Sequence, residues 1–253
     1  MGERARILGV PVDALTVAEL HTYLHERIAS REKAMILNVN ALAMNLAYEH
    51  TWLQSLFNDA ALVFADGFGV VLGGRLLGYR IPERITYADW MWKLAEFAAD
   101  HMVSFFFLGG KPGVAARAAT KLTQKYPSLC ITGVLDGYFD KTSGSTANEA
   151  VIQQINACRP DILLVGFGMP LQEKWLMENW DRIDARVALT GGAVFDYVAG
   201  EVTRAPRWMT DHGLEWLGRL VIEPRRLWKR YLIGNPLFLF RVLRQKLGLL
   251  KFD

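Results

Sequence analysis

Short apolar runs alternate with stretches of helical periodicity along most of this chain. Ala34–Leu37, Ala61–Ala65, Val103–Leu108, Asp161–Val165 and Val187–Leu189 are apolar segments that each run into glycine or polar residues. Such runs suit strands buried on both faces of a parallel sheet. Ile7–Val12 and Cys130–Val134 read as two further strands. Between them the pattern predicts helices. One spans Val17–Arg31 behind the capping box Thr16-Val17-Ala18-Glu19, and one spans Ala41–Glu49 behind Asn40 as cap. Others follow at Phe68–Leu77, from a second capping-box-like start at Thr86-Tyr87-Ala88-Asp89 to Asp100, and at Val114–Lys125, Asn148–Cys158, Lys174–Asn179 and Ala193–Ala199. The alternation predicts an α/β fold: a Rossmann-like, mostly parallel sheet with flanking helices and its loops gathered along one edge. The pattern stops near Gly200–Thr203. Residues 1–200 then form the α/β domain, and residues 201–253 form a C-terminal basic amphipathic helical appendage.

Charge sharpens the view of that appendage. The chain has 253 residues, 51% hydrophobic and 22% charged, with a formal net charge of only +3. The tail carries Arg204, Arg207, Arg219, Arg225, Arg226, Lys229, Arg230, Arg241, Arg244, Lys246 and Lys251, against Asp211, Glu215, Glu223 and Asp253. The basic surplus is therefore local. Interleaved tryptophans, phenylalanines and leucines make an anionic membrane surface the expected partner. The balanced remainder argues against nucleic acid. A spanning helix needs about 20 apolar residues. Met102–Leu108 is too short, and Tyr231–Leu243 contains Gly234-Asn235-Pro236 and Arg241. The expectation is peripheral, monotopic attachment, with no signal peptide, and with apolar tail faces that could also pair copies as a homo-oligomer in solution. Cys130 and Cys158 lack metal-type spacing and read as reduced core thiols of a cytosolic protein.

The strand ends carry the candidate chemistry. Gly109-Gly110-Lys111-Pro112-Gly113 joins a strand to a helix, where free N–H groups and the positive dipole end can seat a diphosphate. A tight turn without ligand is the plainer reading, since neither Walker nor Gly-x-Gly-x-x-Gly spacing is present. Gly166-Phe167-Gly168-Met169-Pro170 is a second such end, with Pro170 suited to a first helical turn and Gln172 and Glu173 near the helix start, facing the cleft. Two such loops favour a nucleotide-sized ligand. Asp66, beside Gly67, is a candidate general base or a helix cap, roles that do not exclude each other. Asn38 and Asn40 could orient a substrate hydroxyl, and Arg84 could meet a phosphate. Asp196, after Gly191-Gly192, could reach a ribose hydroxyl or belong simply to its helix. The histidines form no ligand cluster, and neither Asp-x-Asp nor Gly-x-Ser-x-Gly occurs, so no metal, no cofactor and no serine-hydrolase chemistry is expected.

Taken in order, these pieces resemble the WecG/TagA/CpsF family of bacterial glycosyltransferases, glycosyltransferase family 26. The resemblance runs through Ile7-Leu8-Gly9-Val10-Pro11-Val12, Asn38-Val39-Asn40, Asp66-Gly67, Pro82-Glu83-Arg84-Ile85-Thr86 and Leu108-Gly109-Gly110-Lys111-Pro112-Gly113. It continues in Gly137-Tyr138-Phe139, Gly166-Phe167-Gly168-Met169-Pro170-Leu171-Gln172-Glu173, Gly191-Gly192-Ala193-Val194-Phe195-Asp196, Arg204-Ala205-Pro206 and Glu223-Pro224-Arg225-Arg226. It implies transfer of a sugar from a nucleotide-sugar donor to a polyprenyl-diphosphate-linked acceptor at the cytoplasmic membrane face, with inversion and without metal. It also implies Asp66 as catalytic base, with Asn38, Arg84 and Gln172 beside it. Asn40, Gly109, Gly110, Lys111, Gly137, Tyr138, Gly166, Gly168, Glu173 and Asp196 would bind the nucleotide, and tail residues Arg219, Arg225, Arg226 and Arg230 its diphosphate. Two departures stand out. Asn38 replaces a common threonine, and Tyr87 stands in a segment that commonly reads Thr-Gly-x-Asp. Tyr87 leaves the donor open between N-acetylmannosamine and a plain hexose such as glucose. A non-catalytic nucleotide-binding membrane adaptor is the alternative.

Overall fold

The computed structural model describes residues 3–252; Met1, Gly2 and Asp253 lie outside the described residues. The chain opens with an antiparallel hairpin of β1 (Arg4–Ile7) and β2 (Val10–Asp13) rather than one strand over Ile7–Val12. Leu8 and Gly9 both take positive φ, 50° and 81°, the geometry of a two-residue hairpin turn. Leu8 is apolar and fully buried, so the turn is hidden within an apolar run.

Next come α1 (Val17–Ser30), β3 (Ala34–Val39), α2 (Ala41–Glu49), α3 (Thr51–Asp59), β4 (Leu62–Ala65), α4 (Phe68–Leu76) and α5 (Tyr87–Asp100). The Thr16–Glu19 capping box forms, and the Asn40 side chain accepts from the Leu42 and Ala43 N–H groups. No box forms at Thr86, whose side chain makes no cap bond. The chain continues with β5 (Ser104–Gly109), α6 (Val114–Lys125), β6 (Cys130–Leu135), α7 (Thr146–Cys158), β7 (Ile162–Gly166), α8 (Leu171–Asn179), a short 3-10 turn, β8 (Val187–Thr190) and α9 (Val194–Ala199). Helix α8 starts earlier than its charge pattern suggests, with Pro170 at the cap position.

Strands β3 to β8 form one parallel sheet in the order β4-β3-β8-β7-β5-β6. Two apolar cores lie on its faces. One gathers residues of α2, α3, α7, α8 and the hairpin, and the other residues of α1, α5, α6 and α9. The strands meet both layers, which is why their sequences are apolar throughout. β6 is an edge strand with no fully buried residue, so Cys130 is exposed rather than a core thiol, while Cys158 is partly buried; both are free.

The tail folds as α10 (Arg207–Asp211), α11 (Glu215–Ile222), α12 (Pro224–Trp228), a π-helical turn (Lys229–Ile233) and α13 (Gly234–Lys246). Gly234-Asn235-Pro236 does not break the last helix. Pro236 lacks an N–H and would crowd the preceding turn of a regular helix. The wider π turn, closed by the Gly234 N–H on the Lys229 carbonyl, carries the chain past it. Helix α13 packs on the first core through Phe238 and Val242, both buried. Asn45 donates to the Gly234 carbonyl at 2.8 Å, and Arg241 donates to Asn45 at 3.0 Å and to Glu49 at 2.7 Å. Gln245 bridges the hairpin, accepting from Leu8 N–H at 2.8 Å and donating to the Arg6 carbonyl at 2.9 Å. Among the described residues no helix is long and apolar enough to cross a membrane.

Candidate active site

The carboxyl ends of β3, β4, β7 and β8 and the loop after β5 open into a cleft roofed by the tail, the place where open α/β sheets bind ligands. The cleft has two chambers that share Asn40, Leu42, Asp66, Thr86, Glu215, Arg219 and Arg230. The larger, about 740 Å³, is lined by Gly110, Lys111, Gly137, Tyr138, Gly166, Gly168, Gln172, Gly192, Asp196, Tyr197 and Arg226 among others. The smaller, about 330 Å³, has an apolar wall of Phe68, Leu72, Trp216, Phe238 and Leu239, and Arg84 at its edge.

Asp66 stands where the chambers meet, one residue beyond β4. Its Oδ2 accepts from Asn38 Nδ2 at 3.1 Å, and Asn38 Oδ1 accepts from the Thr190 hydroxyl at 3.0 Å. Burial first, and the nearby Glu215 carboxylate second, push the Asp66 carboxyl above its ordinary value. The nearby Thr86 side chain and the Arg230 and Arg84 charges act against that rise. It caps no helix: Gly67 holds the cap position of α4.

The glycine loops are knitted together by backbone bonds. Gly110 N–H donates to the Gly166 carbonyl at 3.0 Å, and Gly137 N–H to the Gly110 carbonyl at 2.9 Å. Gly109 lies outside the cleft lining. A Cβ there would fall 2.4 Å from the Gly166 oxygen, so it is glycine because β5 and β7 close on each other. Gln172 Oε1 accepts from Gly168 and Gly192 N–H at 3.1 and 3.0 Å, and its Nε2 donates to Glu173 at 2.8 Å. Gln172 thus clamps two loops while lining the chamber. Glu173 lies beneath, fully buried and off the cleft lining.

The tail arginines divide. Arg219, Arg226 and Arg230 line the larger chamber, whereas Arg225 is exposed and lines neither. The Arg219 guanidinium lies 5.4 Å from the Tyr197 ring centroid. Arg219 Nε, Tyr197 Oη and Tyr87 Oη are buried without a hydrogen-bond partner among the described residues. Such groups are uncommon in folded proteins, and these three residues all line the larger chamber. Arg84 is committed to the tail, donating to Glu215 at 3.0 Å and to the Thr210 carbonyl at 3.3 Å. Glu215 and Thr190 are parts of this arrangement to which the sequence assigned no role. Glu215 lies in the stretch Leu214-Glu215-Trp216-Leu217-Gly218-Arg219-Leu220, which belongs to the family resemblance, and is an acid in a basic segment. Thr190 ends an apolar strand and carried no such signal.

Known proteins resemble this chain over most of its length. The sequence model described as the glycosyl transferase WecG/TagA/CpsF family matches residues 5–251. A Bacillus subtilis (strain 168) protein named N-acetylglucosaminyldiphosphoundecaprenol N-acetyl-beta-D-mannosaminyltransferase is 31% identical over 225 residues, 88% of this chain and 83% of the relative. A Staphylococcus aureus (strain MRSA252) protein of the same name is 28% identical over 242 residues, 95% of this chain and 92% of the relative.

Proposed function

We propose, for a chain that belongs to the WecG/TagA/CpsF family of glycosyltransferases, that it moves a sugar from a UDP-sugar to a polyprenyl-diphosphate-linked sugar with inversion at the anomeric carbon. The observation that carries this reading is Asp66 at the junction of a polar, glycine-lined chamber and an apolar-walled one. The donor occupies the larger chamber. Its diphosphate faces Arg219, Arg226, Arg230, Lys111 and the start of α6; its nucleoside lies toward Gly137, Tyr138 and Asp196. The lipid-linked acceptor enters through the smaller chamber, past Phe68 and Trp216. The relatives, by name, act on a diphosphoundecaprenol-linked N-acetylglucosamine.

Asp66, ionised, takes the proton of the acceptor hydroxyl as its oxygen bonds to the anomeric carbon. The bond from that carbon to the diphosphate breaks with its electron pair on the leaving UDP. A positioned base typically contributes ~10²–10⁴ in rate. Its raised pKa brings it nearer the operating pH and strengthens it as a base. Arginines meet the charge that develops on the diphosphate, gripping it in bidentate fashion. In this reading Arg219, Arg226 and Arg230, all lining the larger chamber, carry that role.

The tail then has two tasks. Trp208, Leu217, Val221, Ile222, Trp228, Leu232, Ile233 and Phe240 are exposed apolar side chains beside its basic residues. This face would rest on anionic lipid at the cytoplasmic membrane surface, where each Lys or Arg contributes about 1 kcal/mol. UDP release from a panel of UDP-hexoses and UDP-N-acetylhexosamines, with and without a polyprenyl-diphosphate-linked acceptor in anionic vesicles, tests the reading and identifies the sugar that fits beside Tyr87. Release from one donor, dependent on acceptor, is expected. No acceptor-dependent release from any donor would leave only a nucleotide-binding adaptor.

A further inference from the structure

We propose that Thr190 is a positioning residue for the base: it anchors Asn38, which in turn holds the Asp66 carboxylate ionised and aimed at the junction of the two chambers. The inference rests on the reading of Asp66 given above. Three strand ends are joined by two hydrogen bonds in series, Thr190 Oγ1 to Asn38 Oδ1 at 3.0 Å and Asn38 Nδ2 to Asp66 Oδ2 at 3.1 Å. β8, β3 and β4 lie side by side in the sheet, so neighbouring backbones set the spacing of the chain. Thr190 is fully buried and Asn38 is 5% exposed, so little water competes for the bond between them.

An amide presents a donor on one side and an acceptor on the other. With its oxygen taken by the Thr190 hydroxyl, Asn38 turns its NH₂ toward Asp66. That contact favours the charged carboxylate, the form able to accept a proton. Without the Thr190 hydroxyl, the Asn38 oxygen becomes a buried acceptor with no donor, and only the Asp66 bond holds the amide in place. The other groups acting on Asp66 are untouched by such a change: Glu215 from α11, Arg230 from the π turn, Arg84 and Thr86 ahead of α5, and Tyr87 and Tyr197, whose own titrations feel Asp66. Thr190 meets no part of the larger chamber, so it acts only through Asn38.

Thr190→Val keeps the shape and removes the hydroxyl; Thr190→Ser keeps the hydroxyl. The test follows kcat/KM against pH for acceptor-dependent UDP release, together with the titration of isotope-labelled aspartate carboxyl resonances, with Asp66 assigned by its absence in Asp66→Asn. In Thr190→Val the acidic limb and the Asp66 titration should both move up by about one unit. On the acidic limb kcat/KM should drop about tenfold at fixed pH with donor KM unchanged, and Thr190→Ser should restore all three. A Thr190→Val protein that is merely less stable, with an unmoved Asp66 titration, would overturn the proposal. If instead Asp66 titration moves while Asp66→Asn turns over normally, the positioning stands and the assignment of Asp66 as base fails.

Discussion

Glu173 offers a prediction whose size follows from the structure. Its carboxyl is fully buried, with Oε1 accepting from Gln172 and Oε2 without a partner among the described residues. Burial pushes its pKa from an ordinary 4.5 up to about 7, against the pull of the Gln172 and backbone hydrogen bonds. A shift of that size corresponds to about 3 kcal/mol. The folded protein holds this proton more tightly than the unfolded chain. Its contribution is therefore full below 4.5 and is lost as pH rises through about 7. His21 works in the opposite direction. Burial lowers its imidazole from 6.5 to about 4, so its contribution is present above 6.5 and lost as pH falls toward 4. The wild-type profile contains both effects, but the difference between wild type and Glu173→Gln contains only the first. Urea unfolding of both proteins at about pH 5 and pH 8 should show the variant gaining about 2.5 kcal/mol on wild type between the two conditions. Parallel profiles would refute the claim that Glu173 is folded as a neutral acid.

Two further changes probe the tail. Glu215→Gln removes the charge that helps raise Asp66, so Asp66 should ionise at lower pH and the acidic limb of kcat/KM should move down; an unmoved or rising limb would show that Glu215 does not act on the base. Phe238 fills the space over Gly73, its ring 2.8 Å from where a Cβ would sit, and Phe238→Ala should cost about 3–5 kcal/mol, part of it as local release of α13. Faster amide exchange across α13 with the parallel sheet unaffected is the expected signature, and exchange as slow as wild type would show that the tail is held by its polar contacts alone.

The strands of the main sheet and the glycines at their ends were legible because a doubly covered parallel strand must be apolar along its whole length and must stop where the chain turns. Helix starts were legible where the cap is local, as at Thr16 and Asn40; the start at Thr86 also falls where expected, although its side chain makes no cap bond. Helix α3 was missed because only Leu53, Leu56 and Phe57 mark its buried face. The hairpin was missed because Leu8 buries itself within the turn. Of the site, Asp66 and the glycine loops could be read from their place after apolar strands. The partners that tune them could not. Arg84 meets Glu215 across 131 positions, and Thr190 meets Asn38 across 152. Such pairs follow from strand order and tail docking, which no local periodicity encodes. The same holds for the tail arginines, which share one composition. Docking of α12 and the π turn sends Arg226 and Arg230 into the cleft and leaves Arg225 outside.

Asp66 as the base is the centre of the proposed mechanism. Asp66→Asn keeps the size of the side chain and its place beside Asn38 while removing the acceptor of the proton. Turnover with a UDP-sugar and a lipid-linked acceptor should fall by ~10² or more, while donor affinity measured by calorimetry stays within a few-fold of wild type. Turnover close to wild type, with donor binding intact, would contradict the central claim and move the search for the base elsewhere in the cleft.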